Sequence, residues 1–164
     1  MVVKILKHQN ILLSLTELYE RYSTDIFRYS FSILKDEDDA KDAVQEVFVK
    51  YAESESAFNG NCSYKTWLLV LTRNYCYNKI KSKGFNHANI EEQLFTKTYE
   101  TDYDTKITIR TALMQLNNED NELIFLLEYE GYSYKEIAEL TNQSLENVKI
   151  KIYRARKKLR EILK

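Results

Sequence analysis

Residues Ser133 to Leu159, "SYKEIAELTNQSLENVKIKIYRARKKL", decide the fold class. Ser133 and Glu136 have the spacing of a capping box, in which each side chain accepts a backbone N–H from the other's residue. Ile137, Ala138 and Leu140 follow at helical spacing. A polar turn comes next. Asn142 within it tolerates left-handed backbone better than most residues, and Ser144 stands where a second helix needs a cap. Val148, Ile152, Ala155 and Leu159, spaced by four, three and four, give that helix one buried stripe. Ala138 is small where the two helices must cross. The pattern predicts a short helix, a turn of about four residues and a longer helix, the arrangement of a helix-turn-helix.

The second helix is also where the positive charge collects. Lys149, Lys151, Arg154, Arg156, Lys157 and Lys158 lie off the apolar stripe. The chain of 164 residues has a formal net charge of only −1, yet the charge is segregated. Residues 145–164 carry eight bases against Glu146 and Glu161, and residues 36–55 carry eight acids against Lys41 and Lys50. Residues 73–83 add Arg73, Lys79, Lys81 and Lys83 with no acid. One surface therefore suits a polyanion and another a basic partner. A basic helix of this kind fits a DNA major groove, its first turns near base edges and its later bases near phosphates. The plainer alternative is an amphipathic surface helix whose lysines are simply solvated.

Working outward, the whole chain reads as helical. It has no proline and three glycines, which disfavours long β-meanders. Ser14 and Glu17 form a second capping-box pattern, followed by Leu15, Leu18, Tyr19, Tyr22, Ile26 and Ile33. Asp36 is placed to cap the next helix, whose apolar face is Ala40, Val44, Val47, Phe48 and Tyr51. Asn59-Gly60-Asn61 signals a turn, and Ser63 can cap a third helix carrying Trp67, Leu68, Leu71, Tyr75 and Ile80. Residues 84–104 lose the periodicity and read as an acidic linker, with room for a short helix near 90–97. From Thr105 the helical pattern resumes, and Gly131 is positioned to end a helix around Leu123–Leu127 in the left-handed conformation. The expectation is an all-α protein of two small helical domains, residues 1–83 and 105–164, joined by a flexible linker over 84–104.

Several function classes are disfavoured. Cys62 and Cys76 stand apart from each other and from His8 and His87, so ordinary thiols are expected rather than a metal site. No nucleophile–base pair or phosphate loop appears, so no enzyme, cofactor or small-molecule substrate is expected. The start "MVVKILKHQNILLSL" is broken by Lys4, Lys7, His8, Gln9 and Asn10, unlike a secretory signal. No run approaches the about 18 apolar residues of a membrane span. A cytoplasmic protein without membrane insertion is the expectation.

The stretch Leu116–Leu163 resembles region four of the sigma-70 family of bacterial RNA polymerase sigma factors, most closely in "YSYKEIAE" and "VKIKIYRARKKLR". "DDAKDAVQEVF" (Asp38–Phe48) resembles the family's region-two helix that grips polymerase. "FNGNCSYKTWL" (Phe58–Leu68) resembles its loop and helix that handle the −10 promoter element. Two motifs in that order with a short linker resemble the extracytoplasmic-function type. Asn117, Asn142, Gln143 and Ile150 depart from the family's usual Pro, Gly, apolar and small polar residues.

The resemblance implies three groups of residues. Asp39, Asp42, Gln45 and Glu46 would present an acidic helical face to the polymerase clamp. Asn59, Asn61, Ser63, Tyr64, Lys65, Arg73, Asn74 and Lys79 would take the −10 element, partly by capturing an unstacked base. Asn147, Lys149, Ile150, Lys151, Arg154, Arg156, Lys157 and Lys158 would face the −35 element. The implied partners are core RNA polymerase, at its clamp and flap regions, promoter DNA and, by analogy, an anti-sigma factor. The implied function is promoter-specific transcription initiation, with bond formation left to the polymerase. Two alternatives stay open: a sigma-like interaction protein that does not use DNA, and a helix-turn-helix repressor that does not direct polymerase.

Overall fold

The computed structural model describes residues 14–54, 58, 60–83 and 103–164. The expected linker, except its last two residues, the short helix near 90–97 and the turn residue Asn59 fall outside the described residues. The protein is all-α: no strand occurs among the described residues. The helices are α1 (Leu15–Leu34), α2 (Glu37–Glu53), α3 (Tyr64–Ser82), α4 (Tyr103–Met114), α5 (Asn118–Ile124), α6 (Tyr134–Thr141) and α7 (Leu145–Ile162), with a π-helical turn at Phe125–Tyr129 continuing α5.

The caps fall where the sequence puts them. Ser14 and Ser133 close full capping boxes with Glu17 and Glu136. Asp36, Ser63 and Ser144 accept the N–H groups of Asp39, Thr66 and Asn147. Each satisfies an otherwise orphaned donor, worth about 1 kcal/mol. Gly131 has φ 74° and Asn142 φ 53°, so both supply the left-handed turns expected of them. Helix α4 begins at Tyr103, two residues inside the expected linker. The lost periodicity of 84–104 did not mark that edge, because a helix terminus is set by local hydrogen bonding rather than by an apolar stripe.

Helices α1, α2 and α3 bury one another's stripes through Leu18, Ile26, Val44, Val47, Phe48, Tyr51 and Leu68. A second cluster is shared across the chain. Tyr29, Ile33, Ala43, Leu69 and Cys76 from the first three helices join Leu116 from the turn after α4, Leu123 of α5, Leu126 of the π-turn, and Ile137, Val148, Ile152 and Ala155 of α6 and α7. The two helical groups thus pack directly on each other. Tyr29 stacks on Phe125 at 6.0 Å between ring centroids, and the Asn121 amide donates to the Ser32 carbonyl at 2.7 Å. Lys35 ends α1 with φ 58° and donates to the carbonyls of Met114 and Leu116 at the end of α4. A cation there meets the negative end of the helix dipole.

Candidate nucleic-acid interface

Helix α7 is fixed by its buried face. Val148, Ile152 and Ala155 are at most 1% exposed, and they pack under α5 and α6. Ala138 is buried in one cluster with Val148, Ile152 and Ala155 of α7, and Gln143 N–H returns to the Ala138 carbonyl at 2.9 Å to close the turn. This holds the opposite face of α7 outward. Lys149, Ile150, Tyr153, Arg154 and Lys157 are all exposed there, beside Glu146.

The −35 residues of the sequence reading separate into two sets. Lys149, Arg154 and Lys157 make no ion pair among the described residues. Ile150 is exposed beside them, and the other four are held internally. Lys151 bonds Glu119 at 2.6 Å and Gln143 at 3.0 Å. Asn147 donates to the same Gln143 oxygen at 3.3 Å. Arg156 Nε bonds Glu128 at 3.1 Å, and Lys158 donates to the Gln115 carbonyl at 2.8 Å. Tyr153, 65% exposed, was absent from the sequence-derived set, although its spacing from Ile150 places it on the same face.

The described residues of the expected −10 set lie along α3 and the turn before it, but most of their charges are engaged. Arg73 Nε donates to Glu122 Oε1 at 2.9 Å, and the hydroxyls of Tyr29 and Tyr77 each donate to the same carboxylate at 2.6 Å. Glu122 comes from α5 and is fully buried. Burial pushes the Tyr29 and Tyr77 hydroxyls well up from their ordinary value, and the Glu122 charge adds to it. Burial disfavours the Arg73 charge, but Glu122 with Tyr77 and Tyr29 together outweigh it. Lys65 bridges Asp25 at 3.2 Å and Glu130 at 2.6 Å. Asn74, by contrast, is exposed with its side chain toward solvent. Ser63 is occupied as the α3 cap. Asn61 is exposed, and Tyr64 stacks on Phe58 at 4.3 Å, with Trp67 5.3 Å from Phe58. Phe58, Tyr64 and Trp67 therefore make one aromatic cluster at the mouth of α3.

On α2, Gln45 and Glu46 are exposed, as is most of Asp42. Asp39 instead turns toward α3, where Lys79 lies 3.0 Å away and Lys83 also bonds it. Burial raises the Asp39 carboxyl, but those two lysines outweigh it and hold the group below its ordinary 3.8. Lys79 consequently joins a residue of the expected polymerase face to a residue of the expected −10 face. Beside Gln45 an open apolar groove runs between α1 and α2, lined by Leu15, Tyr19, Phe48, Val49 and Ala52 and ending at Glu53. The sequence reading put Leu15 and Tyr19 on the buried stripe of α1. They are 45% and 47% exposed, because α2 crosses α1 nearer Leu18 and leaves the first turn uncovered. Cys62 and Cys76 are both free, and burial pushes the Cys76 thiol up to about 12. No cluster of metal-ligating side chains and no helix apolar enough to cross a membrane occurs among the described residues.

Comparison with known proteins agrees with this arrangement. The chain matches the sequence model of sigma-70 region 2 over residues 18–85 and that of sigma-70 region 4 over residues 106–159. It is 28% identical to the RNA polymerase sigma factor YlaC of Bacillus subtilis, over 95% of this chain and 94% of that protein. It is 27% identical to the ECF RNA polymerase sigma factor SigX of the same organism, over 88% of this chain and 80% of that protein. Its fold is similar to that of the sigma factor RpoE of Bartonella quintana, solved with the anti-sigma factor NepR, with a TM-score of 0.75 at 22% identity. That likeness covers 90% of this chain and 95% of RpoE. The chain belongs to the sigma-70 family of RNA polymerase sigma factors and is of the extracytoplasmic-function type. It acts with core RNA polymerase on promoter DNA to direct transcription initiation.

Proposed function

We propose that the two helical groups divide this work as two domains, 1–83 and 105–164, linked through 84–104. The outward face of α7 takes the −35 duplex: Lys149, Arg154 and Lys157 reach phosphates, and Ile150 faces base edges. Lys151, Arg156 and Lys158 join only by leaving their internal partners. The end of the first domain takes the unpaired −10 strand. Asn59, Asn61 and Asn74 supply hydrogen bonds, the Phe58–Tyr64–Trp67 cluster supplies a stacking wall, and Lys65, Arg73 and Lys79 hold phosphates. Capturing an unstacked base favours the melted state, since that base no longer returns to its pair. Asp42, Gln45 and Glu46, with the apolar groove beside them, dock on the polymerase clamp. The protein works in the cytoplasm and contributes no bond-making chemistry of its own. An anti-sigma factor is a partner by analogy with the Bartonella quintana complex.

The observation that carries this reading is the set of cations on the outward face of α7 that make no ion pair among the described residues, held there by a fully buried opposite face. The groove and acidic residues of α2 favour initiation over simple repression, because a repressor gives them nothing to bind. Purified chain added to core polymerase from its own species should direct transcripts from discrete native start sites, read by sequencing their 5′ ends. A chain that binds core enzyme but yields no such start sites would overturn the reading.

A further inference from the structure

Ile150 sits at the centre of the outward face of α7, where helical spacing alone would put a polar residue. It is 49% exposed and Tyr153, one turn on, is 65% exposed. Residues three apart on a helix are neighbours, so the two make one small apolar patch. The patch is framed by Lys149, Arg154 and Lys157, all exposed and free of ion pairs among the described residues, and by Glu146. Two polar side chains that could otherwise read bases beside Ile150 are engaged elsewhere, which leaves Lys149 and Arg154 as the cations around it without an ion pair among the described residues. Asn147 is bonded to Gln143, and Lys151 to Gln143 and Glu119. An apolar patch ringed by cations fits a polyanion that itself shows an apolar group. In a DNA major groove that group is the C5-methyl of thymine.

Resting on the −35 reading above, we propose that Ile150 is a specificity-determining residue that packs on the C5-methyl group of a thymine in the −35 element, with Tyr153 shielding the contact from water. Recognition at that base pair is then by methyl burial rather than by a bidentate hydrogen bond. The −35 element of this protein's promoters must carry a thymine at that step, on one strand or the other.

The test uses holoenzyme reconstituted from the full chain and core polymerase, on a promoter located by start-site mapping. Each −35 thymine is replaced singly by deoxyuridine, which removes the methyl and keeps every hydrogen-bonding group. One position should lower open-complex formation about fourfold, the effect of losing one buried methyl. Ile150→Ala should show a similar loss on the thymine template and no further loss on the uracil template. Lys149→Ala should weaken both templates alike. Ile150 is exposed, so its truncation leaves the fold intact, and Ile150→Val should fall between. Equal activity on every thymine and uracil template overturns the proposal. So does a methyl effect that persists in Ile150→Ala, or an Ile150→Ala variant whose DNA binding is unchanged while binding of a protein partner is lost. Absence of any promoter-directed transcript overturns the initiation reading itself. Transcription insensitive to the methyl overturns only this inference.

Discussion

Asn142 shows how one backbone angle holds the helix-turn-helix together. At φ 53° and ψ 47° it lets α6 end and turns the chain toward Ser144. A left-handed residue with a Cβ costs about 1–2 kcal/mol, and asparagine less than most. Asn142→Ala should therefore destabilise the protein by about 1 kcal/mol, whereas Asn142→Gly should not, as read from urea unfolding. Asp39 gives a pH test. Its folded carboxyl lies below the ordinary 3.8, so the stability it contributes is present above that value. It is lost as pH falls through the lowered folded value. Asp39→Asn should melt at lower temperature than the parent at pH 6, and the gap should narrow as pH falls below 3.8. A gap that is constant across that range would mean the ion pairs with Lys79 and Lys83 contribute nothing.

Helix α7 carries seven exposed or half-buried basic side chains, but they are not equivalent. The helical spacing of the sequence showed which of them avoid the buried stripe. It did not show which are already spent on carbonyls and carboxylates of α4, α5 and the π-turn. Lys149→Ala should lower the salt slope of promoter binding by about one unit, since one phosphate contact is lost. Lys158→Ala should leave that slope unchanged, because its ammonium lies on the Gln115 carbonyl. Filter binding of holoenzyme across a salt series separates the two. On the buried side, Ile152→Ala should cost about 2–5 kcal/mol of stability, the usual range for a large-to-small change in a filled core.

Besides the shared apolar core, the two helical groups are joined by a carboxylate that no motif announced. Glu122 follows Glu119, Asp120 and Asn121 and directly precedes the apolar run Leu123–Leu127, so nothing in the sequence sets it apart from its acidic neighbours, and it accepts bonds from Arg73, Tyr29 and Tyr77 across the two helical groups. Glu130 does the same at Lys65. Glu122 and Glu130 occupy Arg73 and Lys65, two cations of the proposed −10 site, so on that proposal strand capture would need those pairs to open. Glu122→Gln leaves the Arg73 guanidinium without its charged partner, at a cost of about 1–3 kcal/mol to the closed arrangement. The variant should show a larger radius of gyration by small-angle X-ray scattering and bind single-stranded −10 DNA more tightly than the parent. Unchanged scattering with unchanged affinity would mean that Glu122 does not hold the groups together.

The sequence by itself determined the local features. Caps at Ser14, Asp36, Ser63, Ser133 and Ser144, the left-handed ends at Gly131 and Asn142, and the apolar stripes of α2 and α7 all depend on residues within a turn or two of one another. Their spacing records that physics directly. Tertiary structure alone decided which groups meet across about a hundred residues of chain, such as Tyr29 with Glu122 and Lys35 with the end of α4. It also decided that Leu15 and Tyr19 stay uncovered while Lys151, Arg156 and Lys158 find partners. Ion pairing and burial depend on where distant helices cross, and neither a cap nor a periodicity encodes that distance.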